Sequence, residues 1–266
     1  MPTSSDGVVT ATLTSDLTTV RVAVNFTVPG SPVSYPSVYT VTVTESLTGR
    51  LVRGLTRAVA PNGTTVGVDH EAPFGVAQSY IATAYNVAGT LLGTSTVTAL
   101  TVPNPTSGIA TWIKSLTTPS LSVIVTTATI PDWSAPIAEG VLRVIGRADP
   151  IVVQDVRQYE TGTLEVLTLL PAAETALASL LASPGPYLVQ MPGFGTADRY
   201  VTVGAVSRKR PVNKATEMWR MWSLPLTQVA RPSTVGFQVA IPGHTYTDTR
   251  ATAATYAART GTYSSR

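Results

Sequence analysis

Val20-Arg21-Val22-Ala23-Val24-Asn25-Phe26 places large apolar side chains at every second position, with Arg21, Ala23 and Asn25 between them. Successive side chains of a β-strand point to opposite faces, so this period of two reads as a strand buried on one side and wet on the other. The next run repeats the pattern, with Val38, Thr40, Thr42 and Thr44 interleaved with Tyr39, Val41 and Val43. β-branched residues dominate throughout, and they suit pleated backbone. Turn chemistry divides the runs at Pro29-Gly30-Ser31-Pro32, Thr48-Gly49, Pro61-Asn62-Gly63 and Ala88-Gly89-Thr90. Roughly seven short strands fit residues 1–103, which predicts a β-sandwich.

A boundary follows. Val102-Pro103-Asn104-Pro105-Thr106-Ser107-Gly108 combines two prolines, which cannot donate to a ladder, with a flexible Ser-Gly pair. Residues 104–108 are therefore read as a linker and 109–242 as a second domain. There the strand runs continue at 121–127, 140–145, 164–169, 187–190, 200–206 and 219–229. One helix is expected at about 171–183. Pro171 suits a first helical turn, Glu174 complements the positive end of the dipole, and Leu177, Leu180 and Leu181 form the apolar stripe. Ser183-Pro184-Gly185-Pro186 stops it. From 243 to 266 the chain becomes Ala/Thr-rich, with Thr-Tyr at 245–246, 255–256 and 262–263, each followed by an arginine. This segment reads either as an arm that docks on a neighbour or as a frayed terminus.

Composition narrows the function. Only 12% of the 266 residues are charged while 44% are hydrophobic, against about 25% charged in an average protein. Such a chain must hide surface in cores or against other subunits. A net charge of +3 is too small to mark a nucleic-acid footprint. There is no cysteine, hence no disulfide framework or thiolate chemistry. The opening residues lack the basic and apolar regions of a signal peptide, and no run approaches the ~18 apolar residues of a membrane helix. The expected place of synthesis is therefore a cytoplasm, with no membrane insertion. Asn25-Phe26-Thr27 and Asn62-Gly63-Thr64 match the glycosylation pattern, and without a secretory signal are read as chance matches.

Residue patterns that carry chemistry are few. The two histidines, His70 and His244, are far apart in sequence, and zinc-site spacing is absent. No Gly-x-Ser-x-Gly elbow is present. Gly193-Phe194-Gly195-Thr196-Ala197-Asp198 looks like a phosphate loop, but it leads into the strand-like Arg199–Val203 and is read as a turn. Asp149, Asp155 and Glu160 lack calcium-loop spacing and are read as solvated strand ends. No cofactor, metal or catalytic residue is expected, and the chain is read as a non-enzyme. Arg208-Lys209-Arg210 with Lys214 forms the one dense basic cluster, placed with Pro211 and Asn213 at the tip of a hairpin. Period two from Trp219 puts Trp219 and Met221 on one face and Arg220 and Trp222 on the other. Arg208, Lys209, Arg210 and Trp222 are therefore the candidate subunit-interface residues, since Trp and Arg are enriched in interfaces. Trp112 and Trp133 are expected as core anchors.

Two resemblances add to this reading. Tyr80-Ile81-Ala82-Thr83-Ala84-Tyr85-Asn86-Val87-Ala88-Gly89, with Pro73 ahead of it, resembles the late strands of a fibronectin type III domain. That likeness implies a corner tyrosine at Tyr80 whose hydroxyl bonds backbone. The early-strand tryptophan of that family is missing, so an immunoglobulin-like variant stays open. In the second half, Pro150–Tyr159, Thr161–Leu164, Arg199–Gly204, and Trp222–Pro225 leading to Val229–Pro232 follow one another in an order that resembles distal or minor tail proteins of long-tailed actinobacterial bacteriophages. The Thr-Tyr tail is similar to Thr-Trp/Tyr repeats that close many of those chains.

The resemblance implies a mainly β fold: an N-terminal fibronectin III/Ig-like β-sandwich, then a tail-tube-like β-sandwich or split barrel with one flanking helix. It implies a structural part of the tail tip, a ring of usually six copies that joins the tail tube to the host-recognition apparatus. The partners implied are further copies, neighbouring tail-tube and tail-tip proteins, and a host-surface glycan; the location is the virion tail, assembled in the host cytoplasm. The competing reading is a two-domain β-sandwich that binds carbohydrate or a host surface without catalysis.

Overall fold

The computed structural model describes residues 1–15, 18–137, 159–211 and 218–232, together with the backbone of 139–142 and 151–154; the side chains of 98 and 99 are excepted. Residues 143–145 of one expected strand, Asp149, Asp155, Lys214, His244 and the Thr-Tyr segment lie outside these residues.

Seven strands build the first lobe: β1 (Val9–Leu13), β2 (Val20–Asn25), β3 (Thr40–Glu45), β4 (Ala58–Val59), β5 (Thr64–Asp69), β6 (Ala77–Tyr85) and β7 (Leu91–Thr101). They form a three-stranded sheet in the order β1-β2-β5 and a four-stranded sheet in the order β4-β3-β6-β7, with every pairing antiparallel. The period-two reading holds at β2, where Val20, Val22 and Val24 are buried and Arg21 is exposed. Those valines join Phe26, Val41, Val43, Tyr80, Ala82 and Val97 in one core shared by the two sheets. The core is made largely of Val and Ala, small enough for closely packed sheets.

The second lobe comprises β8 (Ala110–Ser115), β9 (Val123–Thr129), β10 (Glu139–Leu142), β11 (Ile151–Gln154), β12 (Thr161–Thr168), α1 (Pro171–Ala182), β13 (Tyr187–Gln190), β14 (Arg199–Val203), β15 (Ser207–Lys209) and β16 (Arg220–Gln228). Six of these close on themselves in the order β12-β9-β8-β13-β14-β16, because β12 pairs with β9 on one edge and with β16 on the other. The fold is thus a closed barrel, where the tail-protein resemblance implied a sandwich or split barrel. Closure removes the free sheet edges that an open barrel would present. β15 adds a short strand to β16, and β10–β11 form a separate antiparallel hairpin. The barrel interior holds Ile113, Val125, Leu164, Val166, Val189, Val201, Trp222, Leu224 and Leu226.

Helix α1 starts and stops where its sequence directs. Pro171 occupies the first turn with Glu174 beside it, and Ser183 leaves in extended backbone. Leu177 and Leu180 reach into the barrel core and are fully buried, each contributing about 1.5–3 kcal/mol by removal from water. The Tyr187 hydroxyl donates to the carbonyls of Leu180 and Ser183, satisfying acceptors that the helix end leaves open.

The Gly193 segment is a short 3-10 turn, Pro192–Phe194, closed by Gly195 in the left-handed region and followed by β14, as a turn rather than a phosphate loop requires. A Cβ on Gly193 would collide with the carbonyl of Gly108, at the end of the connector. Backbone meets backbone there, so no flexible side chain can yield. Gly193→Ala is expected to cost about 1–3 kcal/mol, the range for overpacking, measured by chemical denaturation; an unchanged midpoint would show that the connector moves freely.

Candidate functional site

The basic hairpin is present. β15 and β16 pair with Ser207 opposite Ser223, Arg208 opposite Trp222 and Lys209 opposite Met221. Arg208, Lys209 and Arg210 are all exposed. Arg208 Nη1 lies 2.6 Å from Glu174 Oε1, and its guanidinium stands 5.3 Å from the centre of the Trp222 ring. Arg220 Nε lies 3.7 Å from the other oxygen of Glu174. Helix α1, which presents Glu174 in its first turn, thereby ties two basic side chains to the barrel rim.

Trp222 does not share that surface. It is 6% exposed, inside the barrel, with Nε1 donating to Thr168 Oγ1 at 3.1 Å. The alternation along β16 is as expected but its phase is the reverse: Trp222, Leu224 and Leu226 point in, while Met221, Ser223, Pro225 and Thr227 point out. Trp222 stands across from Val166, which is fully buried, and cross-strand partners share a face. Trp219 is the exposed tryptophan, at 45%. It lies just beyond the last β12–β16 pair, Thr168 with Arg220, as Leu169 does on the other strand. Leu169, Leu170, Met218 and Trp219, between 43% and 63% exposed, therefore gather at one end of the barrel beside Arg208 and Lys209. Clustered exposed apolar side chains with a polar rim mark interaction sites.

A second arrangement, which the sequence did not disclose, joins the lobes. Trp112, Lys114, Leu188, Gln190 and Tyr200 fall on one outer face of β8, β13 and β14, by the registers Trp112 with Gln190, Lys114 with Leu188, and Leu188 with Tyr200. The first lobe covers this face. Lys114, 1% exposed, donates to the carbonyls of Thr18 and His70, both at 3.0 Å, and Gln190 Nε2 donates to the carbonyl of Ala72 at 3.2 Å. The indole of Trp112 stacks on Phe74 with 6.0 Å between centroids, so Trp112 anchors the joint and not the barrel interior. Trp133 packs on the barrel core with Arg199 4.3 Å from its ring.

Glu71 is the hub of this joint. It is 4% exposed and receives Arg231 at 2.6 Å, Arg53 at 3.0 Å and the Tyr200 hydroxyl at 2.9 Å, with Arg50 at 3.6 Å. Arg50 also forks onto Asp69 at 2.6 and 2.8 Å, and the Tyr80 hydroxyl donates to Asp69 at 3.0 Å. Tyr80 is thus fully buried, but its hydroxyl serves a carboxylate and not the backbone implied by the fibronectin likeness. The reason is local: Asp69 at the end of β5 is itself buried and needs donors. Burial alone would raise the Glu71 carboxyl, but hydrogen bonds and charge from Arg231 and Arg53 hold it below the ordinary carboxylate range. Burial and the neighbouring carboxylates push the Tyr80 and Tyr200 hydroxyls well up. A cleft of about 480 Å³ opens beside the hub, lined by Arg50, Glu71, Tyr200 and Arg231 with Pro73, Val76 and Leu188. Its arginines are paired with Asp69 and Glu71.

His70 lies in this joint, where its carbonyl accepts from Lys114. Among the described residues no group of three or more His, Cys, Asp and Glu is placed to hold a metal ion, and no helix is long and apolar enough to cross a membrane. The chain matches no protein-family model and no curated protein.

Proposed function

We propose that this chain is a structural subunit of a bacteriophage tail tip, a distal or minor tail protein that assembles into a ring between the tail tube and the host-recognition apparatus. The observation that carries the reading is the closed six-stranded barrel with a short helix plugged into its core and an apolar, basic end left open to solvent. A barrel that satisfies its own sheet edges and still exposes Leu169, Leu170, Met218 and Trp219 is suited to building with others of its kind. The low content of charge supports the same reading. So does the order of the tail-like stretches, of which Thr161–Leu164, Arg199–Gly204 and Trp222–Pro225 fall on barrel strands or their ends.

In this reading the first lobe is a fibronectin type III- or immunoglobulin-like decoration. The three-plus-four strand arrangement and the buried Tyr80 support it. The joint through Glu71 would hold that module at a fixed angle on each ring subunit. Electron microscopy of the concentrated protein tests the proposal: closed rings with a central lumen are the expected images. Dispersed single particles at every concentration, with the fold intact, would count against it.

One observation favours the second reading. Tyr35 and Tyr39 of the first lobe are 45% and 51% exposed, and exposed aromatic faces serve sugar recognition. A glycan bound by the isolated, monomeric chain would support a host-surface binding module in place of a ring subunit.

A further inference from the structure

The two ends of the β12–β16 ribbon differ in sign. At one end the exposed Lys209 and Arg210, with Arg208 and Arg220 paired to Glu174, lie beside the exposed Leu169, Leu170, Met218 and Trp219. At the other end a cleft of about 550 Å³ lies on the outer barrel surface, lined by Ile130, Asp132, Thr163, Glu165 and Pro225 among others. Asp132, Ile130 and Pro225 are exposed there, and Glu165 holds Thr129 at 3.0 Å while remaining open to solvent. Strand rise places the two sites about 20 Å apart along the same pair of strands.

We propose that these are the two halves of one self-contact: the basic apolar end of each copy seats in the acidic cleft of the next. Each half supplies what the other lacks. The cleft has carboxylates and apolar floor; the opposite end has cations flanking protruding apolar side chains. Complementary potentials of this kind fix partner and register more than they add raw affinity, and the apolar side chains supply the burial. The contact is heterologous, since the surfaces that meet are different. Such contacts close into a ring when the rotation per subunit allows it and otherwise run on as a filament. This inference rests on the ring reading above and names the faces that would build it.

Two variants, each damaged at one half only, test the pairing. Lys209→Glu with Trp219→Ser removes the basic end and leaves the cleft; Asp132→Lys with Glu165→Lys removes the cleft and leaves the basic end. All four positions are solvent-accessible, so unchanged melting curves are the control for folding. Light scattering is then read at a concentration where the wild type assembles. Each variant alone should run as a monomer, and an equal mixture should double in mass and grow no further, because one intact cleft meets one intact end. A variant that assembles like the wild type, or a mixture that stays monomeric, overturns the pairing while leaving the ring reading in place. A wild type that never assembles overturns both.

Discussion

Replacing Glu71 with alanine should cost the chain about 3–5 kcal/mol, the range for removing one partner of a buried ion pair. The loss is large because Arg53 and Arg231 stay behind, one from each lobe, with the carboxylate that neutralised them gone. For a chain of this length that corresponds to a fall of roughly 6–20 °C in melting temperature. Glu71→Gln keeps the shape and the acceptor but not the charge, and should fall between the two. pH gives an independent reading. Folding holds the Glu71 carboxyl below its ordinary range, so its stabilisation is complete above the unfolded carboxylate range near pH 4.3 and fades as pH falls through the lower folded value. The wild type should therefore lose stability more steeply than Glu71→Gln on acidification below about pH 4. Equal acid limbs, or an alanine variant within about 0.5 kcal/mol of wild type, would show that the lobes are held by something other than this hub.

The second large effect separates the two tryptophans of β16 and its approach. Trp222→Ala removes an indole enclosed by the barrel and should cost about 3–5 kcal/mol. Trp219→Ala, at the solvent-facing rim, should change folding stability by no more than about 0.5 kcal/mol. Denaturant titration of both checks the phase of the strand directly. Equal costs would mean that the rim is packed from within, and the exposed apolar end would lose its meaning as a contact surface.

How far the sequence reached is plain at particular residues. β2 was legible because Val20, Val22 and Val24 alternate at period two with Arg21, the small Ala23 and Asn25. The helix was legible because Pro171, Glu174 and the Ser183–Pro186 stop act within one turn of its ends. β16 was legible as a strand but not in phase, since Trp219, Met221 and Trp222 offer apolar side chains to both faces. Continuing the period through Leu224 and Leu226, against Ser223, Pro225 and Thr227, would have set Trp222 inside. Barrel closure was not legible: it depends on Thr161–Thr168 meeting Arg220–Gln228 across more than fifty residues, and no local pattern encodes that pairing. The joint was hidden for the same reason. Arg50, Arg53, Asp69, Glu71, Tyr200 and Arg231 are ordinary surface residues until the two lobes bring them together. Their one sequence signal is the presence of charge, at Asp69-His70-Glu71 and Arg50–Arg53, in a chain that uses so little of it.

In the proposed reading the chain assembles with copies of itself. The mass of the purified protein in solution, measured by light scattering near neutral pH over a range of concentrations, tests it most directly. A discrete multiple of the 27.8 kDa chain is expected, as a closed ring requires. A stable monomer up to the highest concentration reached, with the fold intact, would contradict it and turn attention to the exposed tyrosines of the first lobe.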